Sequence, residues 1–417
     1  MHRVLLLVPS ATYRASDFID AAGALGLELI VGCDEPPVLA ANGTSVQISL
    51  DDPDAAADAI VAIDAATPLD AVVAVDDQGT LAAARASARL GLLANDPAAV
   101  AATRDKLRMR NLLAAAEVSQ PGFAVLAAAA GAAEIYGLVE TVGLPCVVKP
   151  TALSGSQGVI RADTLGEALA AVRRVRSIAA SAGSEPNDPL LLEQFVPGPE
   201  VAVEGMLSQG ELTVLAVFDK PDPLEGPYFE ETIYLTPSAL ETADLFALGA
   251  TTQAATRALG LTDGPVHAEL RVRDGRAWVI EVAARSIGGL CSRTLQFGTG
   301  RSLEYLILAH ALGRHPESMT VPGAAGVLML PIRTAGVLVE VSGQQEALAV
   351  PGVVEIDITI APGRELVPLP EGNRYLGFVF ARGQRPANVE ASLRSALECL
   401  RVRTKPERPL TAPVAEP

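Results

Sequence analysis

A polar face on a predicted β-hairpin is the feature of this sequence that most restricts its fold. Two strand-like runs meet at Asp274-Gly275, a pair that is typical of tight hairpin turns. A two-residue turn with regular pairing places Glu269 and Glu281 on opposite faces of the hairpin. We therefore predict a three-residue loop with a bulge, which pairs Val272 with Arg276 and brings both glutamates to one face.

The predicted register gives the hairpin one apolar and one polar face. The apolar face, expected in the core, consists of Val266, Ala268, Leu270, Val272, Trp278, Ile280, Val282 and Ala284. The polar face consists of His267, Glu269, Arg271, Val279, Glu281, Ala283 and Arg285. Two carboxylates this close repel unless a cation lies between them, and Mg²⁺ prefers such oxygen ligands. The alternative is a solvated strand face on which the glutamates pair with Arg271 and Arg276.

The charge and cysteine content restrict the partners and the compartment. With a formal charge of −17 over 417 residues, we expect no nucleic-acid partner and no membrane partner. The four cysteines lie far apart, which is typical of reduced thiols in the cytoplasm rather than of disulfides or a zinc site. The apolar run Val4–Val8 is shorter than a signal-peptide core. We therefore predict a cytoplasmic protein.

Strand-like and helical patterns alternate in the first hundred residues. Val4–Val8 and Ala71–Val75 are continuous apolar runs of the kind that buried parallel strands have. The alternation predicts an α/β fold with an open sheet that binds ligands at the carboxyl ends of its strands. Asp76-Asp77 stands at such an end, where a helix cap is favoured over a substrate contact. A helix is also predicted from Thr103 to Glu117.

Two segments in the middle of the chain have features of a nucleotide site. Cys146–Pro150 is a strand that ends in Lys149, and the small residues Ser154–Gly158 follow, whose backbone N–H groups can surround phosphate oxygens. Leu190–Val196 is a strand that ends at Pro197, and its backbone can bind an adenine ring while Glu200 accepts ribose hydroxyls. The alternatives are a surface turn and an ordinary edge strand.

Three further features lie close to the predicted metal site. Arg285 can hold a carboxylate or stabilise a developing oxyanion, or it can simply neutralise Glu281. His267 is favoured as a hydrogen-bond partner within the site over a catalytic base. The acidic, proline-rich loop 219–231 is either a mobile loop on the substrate side or only a connection.

The order of these features resembles the ATP-grasp superfamily. The succession is Lys106, Val148-Lys149-Pro150, Glu193–Val196 with Glu200, Glu269, and Glu281 with Arg285. Within the superfamily, Phe229–Thr232 and Glu281–Arg285 are most similar to carboxylate–amine ligases that join amino acids into dipeptides. The resemblance implies an N-terminal α/β domain (1–100), an ATP-grasp domain (101–315, with a lid at 123–195), a C-terminal α+β domain (316–403) and a disordered tail (404–417).

The resemblance also implies a role for each matching residue. Lys106 and Lys149 contact ATP phosphates, Glu269 and Glu281 bind Mg²⁺, and Arg285 stabilises the intermediate together with the backbone of Gly288 and Gly289. The phosphate-covering loop contains Ser154, Gly155, Ser156 and Gly158; the adenine-binding hinge contains Glu193, Gln194, Phe195 and Val196; Glu200 binds ribose; and His267, Glu231 and Leu290 are candidate substrate contacts. Ala283-Ala284 stands where many members have Asn-Pro, so one metal contact is missing.

The activity implied by the resemblance is ATP-dependent ligation of a carboxylate to an amine. The expected intermediate is an acyl phosphate, the expected co-products are ADP and phosphate, and the expected cofactors are ATP and Mg²⁺, for which Mn²⁺ substitutes. The substrates are small molecules, with amino acids favoured, and superfamily members are often homodimers. Two alternatives remain, namely a bicarbonate-using carboxylase of the biotin-carboxylase or purine type and a nucleotide-binding regulator without turnover.

Overall fold

The structure is a computed structural model that describes residues 1–10, 12–35, 44–297, 300–314 and 323–406. The strands are β1 (Arg3–Val8), β2 (Glu28–Cys33), β3 (Thr44–Gln47), β4 (Ala71–Ala74), β5 (Phe123–Leu126), β6 (Cys146–Pro150), β7 (Ile160–Ala162), β8 (Leu190–Gln194), β9 (Glu200–Ser208), β10 (Glu211–Asp219), β11 (Ile233–Thr236), β12 (Gly264–Arg273), β13 (Arg276–Ala283), β14 (Gln296–Phe297), β15 (Arg301–Ser302), β16 (Ala324–Leu330), β17 (Gly336–Ser342), β18 (Val353–Ile358), β19 (Glu365–Leu366), β20 (Gly377–Gly383) and β21 (Arg401–Lys405). The helices are α1 (Ala15–Leu25), α2 (Pro53–Ala66), α3 (Asp77–Leu90), α4 (Pro97–Thr103), α5 (Lys106–Ala115), α6 (Ala132–Val142), α7 (Leu165–Ser181), α8 (Thr242–Leu259), α9 (Leu303–Ala311), α10 (Gln344–Leu348) and α11 (Pro386–Cys399).

The N-terminal part is the open parallel sheet that the sequence predicts. Its strands lie in the order β3-β2-β1-β4, and β1 pairs in parallel with both neighbours. Because β1 is central, both of its faces are buried: Leu6 packs in one cluster with Phe18 of α1, and Leu5 packs in another with Ile60 of α2. Burial on both faces explains why the run has no polar alternation.

The lid region forms a separate small sheet. Its four antiparallel strands lie in the order β5-β8-β6-β7. Helices α6 and α7 cover one face, where Val139 and Val172 pack against Val148 and Leu192. The other face is free to line a cavity, and Lys149 and Glu193 point there from β6 and β8. This arrangement places two charged side chains on a rigid sheet.

The rest of the predicted ATP-grasp region and much of the C-terminal part share one large sheet. Eight strands lie in the order β13-β12-β9-β10-β11-β16-β20-β18. The C-terminal strand β16 pairs with β11 along four residues, so the sheet is continuous across the two regions. Helix α8 covers the β9–β12–β13 end, where Leu248 and Leu259 pack on Val203 and Leu270. Among the described residues, no helix combines the length and apolarity needed to cross a bilayer.

The register of the β12–β13 hairpin differs from the prediction. The turn has only two residues, Asp274 and Gly275, both with positive φ (52° and 69°), so Val272 pairs with Ala277 and not with Arg276. The predicted three-residue loop is therefore wrong. The bulge exists, but it lies deeper in β13, where Val279 pairs with Leu270 and Glu281 is the next paired residue.

The displaced bulge changes which side chains enter the core. Ala277 and Val279 are buried on the apolar face, whereas Trp278 and Ile280, which we assigned to that face, lie on the other. Trp278 is the direct cross-strand partner of Arg271. The extra residue, Ile280, returns the remainder of β13 to the predicted alternation, because a bulge shifts the period by one.

Two other local predictions have wrong boundaries. The helix predicted over 103–117 exists as α5, but it is shorter: α4 ends at Thr103, and Asp105 caps α5 by accepting hydrogen bonds from the backbone of Leu107 and Arg108 (2.9 and 3.1 Å). The predicted disordered tail begins too early, because β21 runs to Lys405 and pairs with β17. Residues 407–417 and the start of the predicted C-terminal domain at 316 lie outside the described residues.

Candidate active site

A cavity of about 120 Å³ lies between the lid sheet and the large sheet. Most of the predicted site residues line it: Lys106, Lys149, Ser154, Gly155, Ser156, Glu193, Gln194, Phe195, Val196, Glu200, Glu231, His267, Glu269, Glu281 and Arg285. Of the remaining predicted residues, Gly158, Gly288, Gly289 and Leu290 are not among its lining residues. The fold thus brings together residues that are up to 179 positions apart between Lys106 and Arg285.

A buried ion triad lies at the lid side of the cavity. Glu193 accepts hydrogen bonds from Arg110 (2.7 and 3.2 Å) and lies 2.7 Å from Lys149. Burial opposes ionisation of Glu193, but the two cations lower its pKa to about 2. Burial also lowers the pKa of Lys149 to about 8, with Glu193 acting in the opposite direction. Lys149 therefore faces the cavity with an ammonium that loses its proton more readily than that of an ordinary lysine.

Lys106 connects the start of α5 to the hairpin. Its Nζ donates to the carbonyl of Leu153 at 2.6 Å and lies 3.3 Å from Glu281 Oε1. The backbone N–H of Lys106 donates to Thr151 O (2.8 Å), which fixes the start of the small-residue loop beside it. Lys106 thus lies between the loop and the polar face of the hairpin, where it adds positive charge to a site rich in carboxylates.

Glu269 and Glu281 are cross-strand partners on the polar face. Glu269 is also held by His267, whose Nε2 lies 3.5 Å from it and whose Nδ1 lies 3.2 Å from Glu204. Burial alone lowers the pKa of His267, but its contacts with the two carboxylates raise it to about 9. Glu204 in turn accepts a hydrogen bond from the backbone of Ile287 at 3.0 Å. His267 is therefore a protonated link between two carboxylates and not a free base.

A second cluster of acidic side chains surrounds Lys220. Lys220 Nζ lies 2.7 Å from Glu200, within hydrogen-bonding distance of Glu231 and 3.6 Å from Glu269. Glu200 also accepts from Arg271 Nε at 2.8 Å. Burial acts against the charge of Lys220, but the three carboxylates raise its pKa. Glu200, for which a ribose-binding role was predicted, thus already has two cationic partners, Lys220 and Arg271.

Phe195, Phe229 and Arg271 line the end of the cavity near the predicted adenine-binding hinge. The rings of Phe195 and Phe229 stack with centroids 6.4 Å apart. Arg161 and Arg271 lie over the Phe195 ring at 4.2 and 4.9 Å. Flat apolar and guanidinium surfaces of this kind suit a planar heterocycle.

Arg285 lies at the opposite end, next to the N-terminal sheet. Its Nε is 2.8 Å from Asp77 Oδ2, and its Nη1 donates to Ser286 O at 2.8 Å. Asp76 stands at the predicted N-cap position of α3, but its side chain makes no capping hydrogen bond, and Asp77 pairs with the arginine. This end of the cavity is thus assembled from two distant parts of the chain.

The comparisons with known proteins agree with this geometry. Residues 142–294 match the ATP-grasp domain family, residues 19–92 match the ATP-grasp N-terminal domain, and residues 328–405 match the L-amino acid ligase C-terminal domain 2. The chain belongs to the ATP-grasp superfamily.

Curated relatives and a solved structure narrow the similarity further. The chain is 29% identical to dapdiamide A synthase from Enterobacter agglomerans (52% of the chain, 53% of the relative) and 28% identical to alanine–anticapsin ligase from Bacillus subtilis (49% and 46%). The chain thus matches about half the length of these curated relatives. A crystal structure of L-amino acid ligase from Bacillus licheniformis superposes with a TM-score of 0.83 at 24% identity, covering 97% of the chain and 99% of that structure.

Four predicted residues of this ATP-grasp chain lie beside the cavity rather than on it. Gly158 donates its backbone N–H to Pro370 O at 2.9 Å. Gly289 has a positive φ of 63°, and a Cβ there would lie 2.9 Å from Phe378, so the turn requires glycine. Leu290 is fully buried in the core, and Gly288 precedes this turn. Their predicted roles rest on the resemblance alone.

Sequence reasoning did not identify four charged residues of the ATP-grasp site. Arg110 and Glu204 were given no role, Asp77 was interpreted as part of a helix cap, and Lys220 was noted only as part of a loop. Their partners are far away in sequence. Arg110 pairs with Glu193, 83 positions on, and Glu204 pairs with His267, 63 positions on. A signal existed for Asp77 alone, because it follows a buried parallel strand.

The two hairpin carboxylates fit a divalent cation of the kind that ATP-grasp enzymes use. Both line the cavity, and both are partly exposed (23% and 32% of the side chain), so oxygens remain accessible. Ala283 on the same face offers no donor, so phosphate oxygens and water would complete the coordination. The oxygens of Glu200, Glu231 and Glu269 also lie within 4.8 Å of one another. The Lys220 ammonium lies closer to Glu200 and Glu231 than to Glu269, so we take the hairpin pair as the candidate metal site.

Proposed function

We propose that this protein is an ATP-dependent carboxylate–amine ligase that forms an amide or peptide bond through an acyl phosphate. The observation that supports this most is one cavity lined by Lys106 and Lys149 at the lid side, by Glu269 and Glu281 on the hairpin, and by Arg285 at the far end. Such a site offers cations for phosphates, carboxylates for a metal and an arginine for a developing oxyanion.

The first step is transfer of the γ-phosphoryl group. A substrate carboxylate oxygen attacks the γ-phosphorus, a new P–O bond forms, and the bond to the β-phosphate breaks so that ADP leaves. Lys106 and Lys149 orient the phosphates, while Phe195 holds the base. A Mg²⁺ ion at Glu269 and Glu281 would neutralise charge on the phosphoryl oxygens. The chain contributes positioning and electrostatics, so this step needs no side-chain nucleophile.

The second step is attack of the amine on the acyl phosphate. A C–N bond forms, the carbonyl oxygen becomes an oxyanion, and Arg285 stabilises this charge. Collapse of the tetrahedral intermediate expels inorganic phosphate, and the amine releases protons to solvent. His267 is protonated and held between Glu204 and Glu269, so it orients Glu269 and does not serve as the base.

Amino acids are the proposed substrates. The names of relatives support this choice, since alanine–anticapsin ligase and L-amino acid ligase both name amino-acid chemistry. Glu231 is the proposed contact for a substrate amino group. Its carboxylate receives hydrogen bonds from Tyr234 (2.6 Å) and Tyr375 (3.4 Å) at the edge of the cavity. We also propose a cytoplasmic homodimer built from the domains 1–100, 101–315 and 316–403.

The test is phosphate release from Mg²⁺-ATP by the purified protein with different acceptors. Pooled amino acids are expected to stimulate release, with ADP as co-product, and subtraction of single amino acids from the pool identifies both substrates. Release that requires bicarbonate instead supports the carboxylase alternative. Tight ATP binding without release under any pool supports a non-catalytic regulator. Mass spectrometry of the products separates true ligation from uncoupled ATP hydrolysis.

A further inference from the structure

We infer that Asp77 of the N-terminal sheet region is a positioning residue for Arg285, so that the ligation site is incomplete without the N-terminal part of the chain. This inference rests on the proposed function, because it concerns the arginine that stabilises the oxyanion. Asp77 itself is not among the residues that line the nucleotide cavity in the described structure. It acts through the guanidinium that it holds.

Asp77 and Ser286 hold the guanidinium of Arg285 from the side of the N-terminal sheet. Asp77 Oδ2 contacts Arg285 Nε at 2.8 Å, and the carbonyl of Ser286 accepts from Nη1 at 2.8 Å. Within the described ranges, Nη2 makes no hydrogen bond with the protein. Nε makes no aligned hydrogen bond in these ranges either, so Asp77 holds the guanidinium as an ion pair. This ion pair and the hydrogen bond to Ser286 orient the group and leave Nη2 for a substrate oxygen.

Arg285 has room to move if it is released from Asp77. It lines the nucleotide cavity and also a second, largely apolar cavity of about 100 Å³ next to the N-terminal sheet. It also experiences the charge of Glu281, which favours its protonated form. Without Asp77, we expect the guanidinium to turn toward Glu281, where it would compete with the metal.

Asp77 is itself rigidly supported. It is the first residue of α3 and follows the carboxyl end of β4, where ligand sites of open α/β sheets lie. Its backbone carbonyl accepts hydrogen bonds from Arg104 Nη1 and from Thr80 Oγ1, the latter at 2.8 Å. Burial opposes the charge of Asp77, but Arg285 and Arg104 lower its pKa, so the carboxylate is ionised. A fixed anion suits a positioning role.

A second cross-link beside the first supports this conclusion. Arg14, which is 1% exposed, donates from Nη1 to Val75 O at 3.0 Å and from Nη2 to Ser286 Oγ at 2.6 Å. Two consecutive residues after β13 are thus bound to the β4–α3 junction. Arg285 is held by the Asp77 carboxylate, and Ser286 is held by Arg14, which also donates to Val75 O. The N-terminal region therefore sets the position of the segment that carries Arg285.

The test compares Asp77→Asn, Asp77→Glu and the control Asp54→Asn in phosphate release with the amino-acid pool. Asp54 lies on α2, is exposed and pairs with Arg85 of α3, so its substitution removes a surface carboxylate from the same N-terminal region. We expect Asp77→Asn to lower kcat by roughly 10- to 100-fold, because small misplacements of a catalytic group cost this much. The Kd for ATP, measured without acceptor, is expected to stay within about twofold. Asp77→Glu keeps the charge, so its kcat is expected to lie between those of wild type and Asp77→Asn.

Each outcome separates the inference from the proposed function. An inactive wild type refutes the proposed function and the inference with it. An active wild type with an equally active, folded Asp77→Asn overturns the inference alone, as does a loss of ATP affinity that accounts for the whole effect. If Asp77→Asn does not fold at the assay temperature, Asp77→Glu decides, because its charge stays and its carboxylate is displaced by one methylene. A wild-type kcat for Asp77→Glu then overturns the inference.

Discussion

Glu269 is the direct cross-strand partner of Glu281, and the β-bulge at Ile280 makes this possible. In a regular ladder after a two-residue turn, Glu281 would alternate onto the apolar face. The extra residue keeps Val279 in the core and still turns Glu281 toward the cavity. One bulge thus reconciles a tight turn with a two-carboxylate site, in agreement with the tendency of bulges to lie near active sites.

This pair predicts a loss of activity without a loss of fold. Glu281→Gln removes a partly exposed carboxylate whose contact is Lys106, so we expect little change in thermal midpoint. Phosphate release is expected to fall by roughly 100-fold or more, because metal charge stabilisation is worth several kcal/mol. Glu211→Gln, which removes an exposed carboxylate on β10, is the control and keeps full activity. Normal turnover by Glu281→Gln would contradict the metal assignment.

The lowered pKa of Lys149 predicts that ATP binding weakens at alkaline pH. Its pKa is lowered to about 8, so the free protein loses this positive charge as the pH rises through about 8. ATP phosphates favour the charged form, and the Kd for ATP is therefore expected to rise by up to about tenfold for each pH unit above that value. The measurement is ATP binding without acceptor, which excludes effects of amine deprotonation.

Lys149→Arg is the matched variant for this prediction. A guanidinium stays protonated throughout the range, so the variant is expected to lose the alkaline limb even if its affinity is lower. An alkaline limb of the same size in Lys149→Arg would assign it to another group.

The comparison of sequence and structure shows which site residues can be predicted. Glu269, Glu281 and Lys149 could be placed because their neighbours alternate and because strand ends are marked by proline or small residues. Arg110 could not, because it lies on helix α5 and its partner Glu193 lies on strand β8, 83 positions away. Pairing of buried charges depends on how sheets stack, and local periodicity contains no information about it.

The same reasoning explains the wrong register. The alternation required one extra residue between Leu270 and Glu281, but it did not show where that residue lies. We placed the bulge at the turn because glycine tolerates positive φ. The structure has positive φ at both Asp274 and Gly275, which makes a tight two-residue turn and moves the bulge to Ile280.

Removal of the Lys220 side chain is predicted to create a cation site. Lys220→Ala removes the ammonium from among Glu200, Glu231 and Glu269, whose oxygens lie within 4.8 Å of one another. Leaving buried carboxylates unpaired is expected to lower the free energy of unfolding by about 3–5 kcal/mol. Millimolar Ca²⁺ is expected to restore part of this loss, since it accepts such oxygen ligands. Urea unfolding with and without Ca²⁺ is the measurement.

The control for this site is the double variant Lys220→Ala/Glu231→Gln. It removes one ligand of the created site, so its response to Ca²⁺ is expected to shrink toward that of the wild type. If Ca²⁺ stabilises the wild type and Lys220→Ala equally, the three carboxylates do not act as a lysine-filled cluster.

The small-residue loop is fastened to the C-terminal region, and this contact predicts an effect on nucleotide affinity. Gly158 N donates to Pro370 O (2.9 Å), Gln157 Nε2 donates to Glu371 O (2.7 Å), and Arg174 forms a two-pronged ion pair with the Glu371 carboxylate (2.7 and 3.0 Å). Arg174 and Glu371 are both exposed, so breaking their pair costs at most about 1 kcal/mol of stability. We expect the loss of the Arg174–Glu371 pair to loosen the small-residue loop over the ATP phosphates.

Arg174→Ala and Glu371→Ala are therefore each expected to raise the KM for ATP several-fold with little change in thermal midpoint. The double variant is expected to match the single ones, because both remove the same interaction. Arg257→Ala, which breaks an exposed pair with Glu211 on β10, controls for the loss of a surface arginine and leaves the KM unchanged. Additive effects in the double variant would mean that the two residues act on the loop independently, and an unchanged KM in both single variants would mean that the pair does not hold the loop.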